Sequence, residues 1–275
     1  MRISVVTPTY NTNPAYLHRA WASLKNQTYT DWEWVVWDDS TLSDTWALLT
    51  GFVADERYDI TMHRSLVHSG VIGQVKRRAF MAAEGDILLE LDHDDELTPT
   101  CLQEVADAFA DPTVGFVYSD WCEILPDGQS GRYPEGWAFG FGSDYWDEAN
   151  QVWAMHSAEL NRTTMGHIVS VPNHVRAWRA SVYHQLGGHD ASLPVADDYE
   201  LIVRTVLATR THHIPHMLYK QYISPNTTQR QRNDLIQTLV ADISARYSDQ
   251  LDAHYAASNE GERPVPQTKK KVATK

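Results

Sequence analysis

The stretch that decides the fold is AAEGDILLELDHDDELTP, residues 82–99. Its centre, residues 87–91, is an apolar run that predicts a buried β-strand ending in Asp92 and Asp94. Side chains alternate faces along an extended chain, so these two carboxylates point one way while His93 points the other. Two carboxylates on one side of a strand end can hold Mg²⁺ or Mn²⁺. The competing interpretation is that they cap the helix that follows.

Strands and helices alternate on the N-terminal side of this stretch. Apolar or β-branched runs closed by Pro or Asp predict strands at 3–7 and 32–37, and the repeat of this pattern predicts another strand at 60–64. Apolar residues at helical spacing predict helices at 15–26, 44–54 and 72–83. Such alternation is typical of a parallel sheet covered by helices on both faces. Ligands of these sheets bind beyond the carboxyl ends of the strands.

The pattern changes on the C-terminal side. After a helix that follows Pro99 and a strand at 114–121, residues 125–162 are rich in Gly, Pro and aromatic residues, which predicts long loops at a binding surface. The sequence then predicts strands near 168 and at 214–219, and helices at 180–186, 197–208 and 228–246. The polar, proline-bearing end of the chain predicts a disordered tail.

Composition excludes several classes of protein. The chain has 275 residues, 43% apolar and 21% charged, and a formal net charge of -13. That charge argues against a nonspecific nucleic-acid or membrane binder, which needs a basic face. No apolar run approaches the roughly 18 residues of a membrane span, and no signal-peptide pattern precedes Thr7, so we expect a cytoplasmic protein. The two cysteines, Cys101 and Cys122, predict buried free thiols.

Two further acidic pairs lie at the ends of predicted elements. Asp38 and Asp39 end the second strand, where a carboxylate could accept the ring N–H of a nucleotide base. Asp197 and Asp198 begin a predicted helix. Turn chemistry explains the first pair equally well, and helix capping explains the second. Three such pairs together favour a functional site.

Five segments, taken in order, resemble a known family. They are VVTPTYN (5–11), LKNQTY (24–29), VVWDDS (35–40), AAEGDILLELDHDDELTP (82–99) and LGGHDASLPVADDYELIVR (186–204). Their order and spacing over residues 3–222 resemble the family 2 glycosyltransferases with the GT-A fold. This resemblance implies a Rossmann-like, mostly parallel central sheet with helices on both faces and a smaller acceptor-side subregion. It also implies an inverting enzyme that uses a nucleotide-sugar donor together with Mn²⁺ or Mg²⁺. Among the nucleotide sugars, a UDP-sugar is favoured.

The same resemblance divides the chain into parts. Residues 1–120 correspond to the half that binds the nucleotide sugar. Residues 121–255 correspond to the half that binds the acceptor and carries the catalytic base. Residues 256–275 are predicted from their polar composition to form the disordered tail.

On the donor side, the resemblance assigns five residues. Thr7 and Tyr10 match the loop that borders the nucleotide, and Asp39 matches the carboxylate that receives the base N–H. Lys76 and Arg77 stand near the diphosphate, where relatives often have arginine and asparagine. A lysine does not reproduce the bidentate hydrogen bonding of arginine. Lys76 therefore keeps the positive charge near the diphosphate but would contact it with a different geometry.

On the catalytic side, Asp92 and Asp94 match the family's DxD motif. The resemblance implies that Asp92 faces the ribose or the metal and that Asp94 is the direct metal ligand. Asp198 takes the place of the catalytic base, with Asp197 as its acidic neighbour. Tyr222 stands where many relatives have a metal-binding histidine, so the protein itself is expected to supply few metal ligands.

Alternatives and the acceptor stay open. A nucleotidyltransferase acting on sugar phosphates also uses paired carboxylates and a metal, although a Gly-rich phosphate loop is missing near the N-terminus. A noncatalytic module that binds glycans or nucleotide sugars is the other alternative. Trp137, Trp146 and Trp153 could stack on the sugars of a carbohydrate or glycoconjugate acceptor, whereas Trp121 is expected in the core. Nucleic acid is the least suitable acceptor for so acidic a chain.

Overall fold

A ten-stranded sheet organises the chain in the computed structural model, which describes residues 1–224 and 231–257. Its strands are β1 (Ile3–Thr9), β2 (Trp32–Asp38), β3 (Ile60–Arg64), β4 (Ile87–Glu90), β5 (Glu96–Leu97), β6 (Val114–Ile124), β7 (Ser143–Asp147), β8 (Val152–His156), β9 (Arg176–Arg179) and β10 (Arg210–Tyr222). The α-helices are α1 (Pro14–Lys25), α2 (Asp44–Val53), α3 (Ile72–Met81), α4 (Cys101–Ala108), α5 (Arg162–His167), α6 (Ala180–Gln185), α7 (Asp197–Ala208) and α8 (Asn233–Ala257). The mixed α/β class predicted from the sequence is confirmed.

The strand order places the N-terminal β-α-β units beside the strands of the C-terminal half. The main path runs β3-β2-β1-β4-β9-β6-β10-β5, and β7 and β8 form a hairpin attached to β6. Strands β1 to β4 pair in parallel, and β10 pairs in parallel with β6. Strand β9 is antiparallel to both β4 and β6, so it joins the two parallel groups into one sheet.

Hydrophobic clusters cover both faces of the sheet, as predicted. On one face Trp21 of α1 stacks on Trp34 of β2, with ring centroids 5.3 Å apart. On the other face Phe80 of α3 stacks on Tyr183 of α6 at 4.9 Å. Trp121 is buried in the core, which confirms the interpretation of that tryptophan. Both cysteines are buried free thiols, also as predicted.

The structure corrects the predictions for the middle of the chain. Residues 125–162 are not only loops, because they contain the hairpin β7–β8, in which Trp146 lies opposite Trp153. Both faces of that hairpin carry aromatic residues, so it shows no polar alternation. The strand predicted near 168 is wrong. Asn161 instead caps the short helix α5, and the strand of this region is β9, whose sequence RAWR carries charges at both ends.

The C-terminal helix ends later than predicted. The periodicity favoured 228–246, whereas α8 spans Asn233–Ala257. Residues 225–230 and 258–275 lie outside the described part of the chain, and the predicted tail falls almost entirely there. Among the residues that the structure describes, no helix is both long and apolar enough to cross a bilayer.

Candidate active site

A row of polar side chains crosses the sheet. Glu90 at the end of β4 lies opposite Arg176 of β9. On the other side of β9, Arg176 lies opposite Tyr118 of β6. Tyr118 lies opposite His213 of β10. Residues paired in register project from the same face of a sheet. Glu90 and Arg176 are 0% and 2% exposed, so two opposite charges lie inside the protein. Such groups are found buried only when they are paired.

Glu90 lies at the centre of a buried charge cluster. Lys76 of α3 forms an ion pair with Glu90, and Arg176 Nη1 lies 3.7 Å from its other carboxylate oxygen. Burial acts to raise the pKa of Glu90, but the charges of Lys76, His174 and Arg176 outweigh it and hold the pKa below its usual range. Burial acts to lower the pKa of Lys76, and Glu90 raises it above its usual value. Both groups are therefore charged at neutral pH.

Arg176 links this cluster to Asp198, at the N-terminal end of α7. Arg176 Nη1 donates to Asp198 Oδ2 at 2.7 Å, and the amide of Tyr199 donates to Asp198 Oδ1 at 2.8 Å. Burial acts to raise the pKa of Asp198, but Arg176 and Lys76 outweigh it, so the pKa is lowered. A quarter of the side chain is exposed. Asp198 is thus an ionised carboxylate that remains accessible.

Its neighbour Asp197 has the opposite character. Asp197 is 2% exposed, and burial raises its pKa to about 7 despite the opposing charge of Lys76. Asp197 Oδ2 accepts no hydrogen bond from the described residues and lies 3.9 Å from Nε2 of His189. Burial also lowers the pKa of His189 to about 3. Two adjacent carboxylates therefore differ in charge state below neutral pH because one meets Arg176 and the other does not.

Asp92, Asp94 and Asp95 form the turn after β4. The carboxylates of Asp92 and Asp94 are 33% and 28% exposed, and Asp92 Oδ2 lies 3.6 Å from Nε2 of His174. Asp95 is buried, and burial raises its pKa well above the usual value. It accepts hydrogen bonds from Tyr219 Oη at 2.9 Å and from the amide of Tyr222 at 2.7 Å. The first two acids face solvent, while the third anchors the turn to β10.

The structure gathers no group of three His, Cys, Asp or Glu side chains suited to a metal ion within residues 1–224 and 231–257. Tyr222, at the position of the family histidine, donates from Oη to Glu96 at 3.1 Å, and Arg19 stacks on its ring at 3.4 Å. Burial and Glu96 raise the pKa of Tyr222 to about 12, so its hydroxyl stays protonated. The partly exposed carboxylate oxygens of Asp92 and Asp94 nevertheless suit a hard cation such as Mn²⁺ or Mg²⁺.

The carboxyl ends of β1 and β2 form a second part of the site. Asp39 is 3% exposed, and its two oxygens accept the amide of Ser69 at 3.2 and 3.0 Å. His68 Nδ1 lies 2.8 Å from Asp39 Oδ2. The ring of His68 stacks on Tyr10, which follows β1, with centroids 4.6 Å apart. Tyr10 and Asp39, which the resemblance assigns to the nucleotide, therefore border one surface.

Thr7 does not belong to that surface. It lies within β1, is fully buried, and its hydroxyl accepts the indole N–H of Trp34 at 2.9 Å. The prediction that Thr7 is a loop residue is wrong, because β1 continues through Pro8 to Thr9. Pro8 is tolerated there because the pairing with β4 ends two residues earlier, at Val6.

The two predicted diphosphate cations are not brought together. Lys76 points into the buried cluster against Glu90, whereas Arg77, the next residue of α3, is exposed. Successive residues of a helix are rotated by about 100°, so neighbours in sequence face different directions. The negative charges of Asp92 and Asp198 act to raise the pKa of Lys76, and Lys76 in turn lowers the pKa of Asp198.

Sequence reasoning missed Glu90, Arg176 and His174. Glu90 carries a signal, because one charged residue inside the run ILLEL is rarely buried without a partner. Arg176 and His174 carry none, since β9, which contains Arg176 and closely follows His174, was not predicted.

A family model described as "Glycosyl transferase family 2" matches residues 4–186. The chain belongs to glycosyl transferase family 2. It is 24% identical to the chondroitin synthase of Escherichia coli over 85% of this chain and 30% of the relative. The chain spans 9 to 35% of the lengths of the curated relatives it matches.

Solved structures show the same fold. The Staphylococcus aureus TarS fragment 1–349 in complex with UDP-GlcNAc superposes with a TM-score of 0.65 at 18% identity, over 91% of this chain and 72% of that one. The mannosyltransferase PcManGT from Pyrobaculum calidifontis, in complex with GDP-Man and Mn²⁺, gives a TM-score of 0.61 at 16% identity, over 96% and 76%. The GT-A fold predicted by resemblance is confirmed.

Proposed function

We propose that this chain transfers a sugar from a nucleotide-activated donor to a hydroxyl group of a carbohydrate or glycoconjugate acceptor, with inversion at the anomeric carbon. One observation carries the proposal. An accessible, ionised Asp198, held by Arg176, is linked through the buried cluster to the strand end that bears Asp92 and Asp94. Family membership supports the same reaction class.

Asp198 is proposed as the general base. It accepts the proton of the acceptor hydroxyl as that oxygen bonds to the anomeric carbon, while the bond from this carbon to the diphosphate breaks. Its lowered pKa keeps it ionised and ready at neutral pH. Asp197 is only 2% exposed, so an acceptor hydroxyl cannot reach it as it reaches Asp198. We therefore assign Asp197 a supporting role.

Tyr10 and Asp39 are proposed to hold the nucleotide base. The exposed ring of Tyr10 offers a stacking surface, and the buried Asp39 carboxylate accepts a ring N–H. A uracil base meets both requirements, which supports UDP-sugar as the donor. The complexes of TarS with UDP and with UDP-GlcNAc support the same choice, and that of PcManGT with GDP-Man makes guanine the alternative.

Asp94, with Asp92 beside it, is proposed to hold Mn²⁺ or Mg²⁺ together with the donor. When bound, such a cation neutralises charge on the leaving diphosphate. Two carboxylates alone hold a divalent ion weakly. We therefore propose that donor and metal bind together and that each increases the affinity of the protein for the other by the same factor. Lys76, in the buried cluster beside Glu90, adds positive charge near the carboxylates of the site.

The test measures nucleoside diphosphate release with a panel of nucleotide sugars, with and without Mn²⁺. We expect a UDP-sugar with Mn²⁺ to give the highest rate. Asp198→Asn should keep the donor Kd while slowing transfer by roughly 10² to 10⁴, the usual contribution of a general base. Asp242→Asn, on the exposed face of α8, is the matched control and should match the wild type.

Each alternative gives a different result. Release of pyrophosphate in place of nucleoside diphosphate would identify a nucleotidyltransferase. Donor binding without turnover toward any acceptor or water would identify a noncatalytic module. Loss of donor binding in Asp198→Asn would move Asp198 from the catalytic step to the nucleotide site.

A further inference from the structure

His68 meets both requirements that we have set for the nucleotide base. Its ring stacks on Tyr10 with an interplanar angle of 23°. Its Nδ1 lies 2.8 Å from Asp39 Oδ2 and 3.0 Å from the Asp39 backbone oxygen. Both oxygens are hydrogen-bond acceptors, which assigns the proton to Nδ1. The ring therefore presents an N–H to Asp39 while lying flat on Tyr10, as a pyrimidine base would.

We propose that the His68 ring occupies the base site, defined as the Tyr10 ring and the Asp39 carboxylate, and that a nucleotide base displaces it. This inference rests on the proposed function, because it takes Tyr10 and Asp39 as the base site. It makes His68 a competitor that lowers donor affinity in the free protein. The opposing view is that His68 stays in place and forms a second wall around the base.

The surroundings of His68 permit displacement. Its side chain is 37% exposed, so the ring can rotate into solvent without opening the core. Leu66 and Val67, which precede it, are exposed and add little packing that would resist the movement. The backbone on either side is fixed, since Ser65 N donates to Asp38 O and Ser69 N donates to the Asp39 carboxylate. Rotation of one side chain is therefore enough.

Displacement also leaves Asp39 hydrogen-bonded. The amide of Ser69 continues to donate to the carboxylate, and the base N–H replaces Nδ1. The base therefore replaces the imidazole both in the stack on Tyr10 and in the hydrogen bond to the Asp39 carboxylate. The affinity of the site is then reduced by the fraction of molecules in which His68 blocks it.

The test measures UDP binding by calorimetry in the presence of Mn²⁺. His68→Ala should tighten the Kd by about three- to tenfold, the range expected when a competing aromatic stack is removed. His63→Ala is the matched control, because His63 stacks on Trp37 of the neighbouring strand at 5.1 Å and should leave the Kd unchanged. Weaker binding by His68→Ala would show that the ring is a wall of the site, and an unchanged Kd would show that it does not compete. Either result overturns the proposal.

An NMR measurement follows the ring itself. The imidazole resonance that is absent from His68→Ala is assigned to His68, and we expect it to shift when UDP saturates the wild type. A resonance that UDP leaves in place would contradict displacement. If neither the wild type nor His68→Ala binds UDP, GDP or any other nucleoside diphosphate, the proposed function itself fails. Binding by the wild type without tightening in the variant refutes only the role of His68.

Discussion

Arg176 is the residue whose loss should disturb the site most. In Arg176→Met, Asp198 loses a 2.7 Å charged hydrogen bond, and the fully buried Glu90 keeps Lys76 as its one close ion-pair partner among residues 1–224 and 231–257. Removing one member of a buried ion pair costs about 3–5 kcal/mol, because the remaining charge is left uncompensated. For a protein of this size, each kcal/mol lowers Tm by about 2–4 °C. We therefore expect Tm to fall by roughly 6–20 °C at pH 7.

The pH dependence separates lost charge compensation from lost packing. In the wild type, Arg176 lowers the pKa of Asp198, so its stabilising effect is present above pH 3.8, the unfolded value, and is lost as the pH falls through the folded value. In the variant, of the two cations Arg176 and Lys76 only Lys76 remains to oppose the effect of burial, so the pKa of Asp198 in the folded protein rises. Protonation then relieves the buried charge in the acid range, so the stability difference between the two proteins should shrink between pH 7 and pH 4.

Urea unfolding of both proteins at pH 7, 5.5 and 4 measures this difference. Arg179→Met is the matched control, since Arg179 lies on the same strand and donates to the backbone carbonyls of Phe109, Asp111 and Val114, which do not titrate. Its cost should not change with pH in this range. Two results would refute the reasoning. One is a stability loss in Arg176→Met that, like that of Arg179→Met, does not change with pH. The other is a loss smaller than about 1 kcal/mol at pH 7, because breaking a buried ion pair costs more free energy than that.

Three other substitutions test separate parts of the structure. Thr7→Val removes the acceptor of the Trp34 N–H and should destabilise the protein by about 1–3 kcal/mol without changing UDP affinity, whereas Thr7→Ser should behave as the wild type in urea unfolding. Asp94→Asn should abolish Mn²⁺-dependent UDP binding in calorimetry while keeping the wild-type Tm, since the side chain is partly exposed; unchanged Mn²⁺-dependent turnover would contradict its role. Gly73→Ala would place a Cβ 2.2 Å from the backbone oxygen of Asp190 and should cost about 1–3 kcal/mol, whereas Gly51→Ala, with nothing within 4 Å, should cost nothing.

The N-terminal half of the fold could be predicted because its signals are local. Strands β2, β3 and β4 are short, mostly apolar runs that end at a charged residue, and helices α1, α2 and α3 have a clear apolar spacing. The match of β3, whose predicted range 60–64 is the observed one, shows how well such a run defines its ends. Acidic residues at the strand ends were brought to the sheet edge for the same reason.

The C-terminal half was harder to predict because its structure depends on contacts between residues that are distant in sequence. The strand β9 has only four residues, two of them arginines, and it is a strand because β4 and β6 lie on either side of it. Arg176 therefore could not be assigned to the site from its own surroundings in the sequence. His68 was missed for a related reason, since only the loop between β3 and α3 brings it onto Tyr10 and Asp39.

The charge cluster limits when Asp198 can act in the proposed reaction. Arg176 and Lys76 lower its pKa, so it is always ionised near neutral pH but is a weak base toward a neutral hydroxyl. An acceptor hydroxyl becomes acidic only as its oxygen bonds to the anomeric carbon and gains positive charge. Asp198 therefore receives the proton late, and the barrier depends mainly on how the site places charge around the oxocarbenium-like carbon. A transfer rate limited by a group titrating near pH 7 would contradict this order and would point to Asp197 instead.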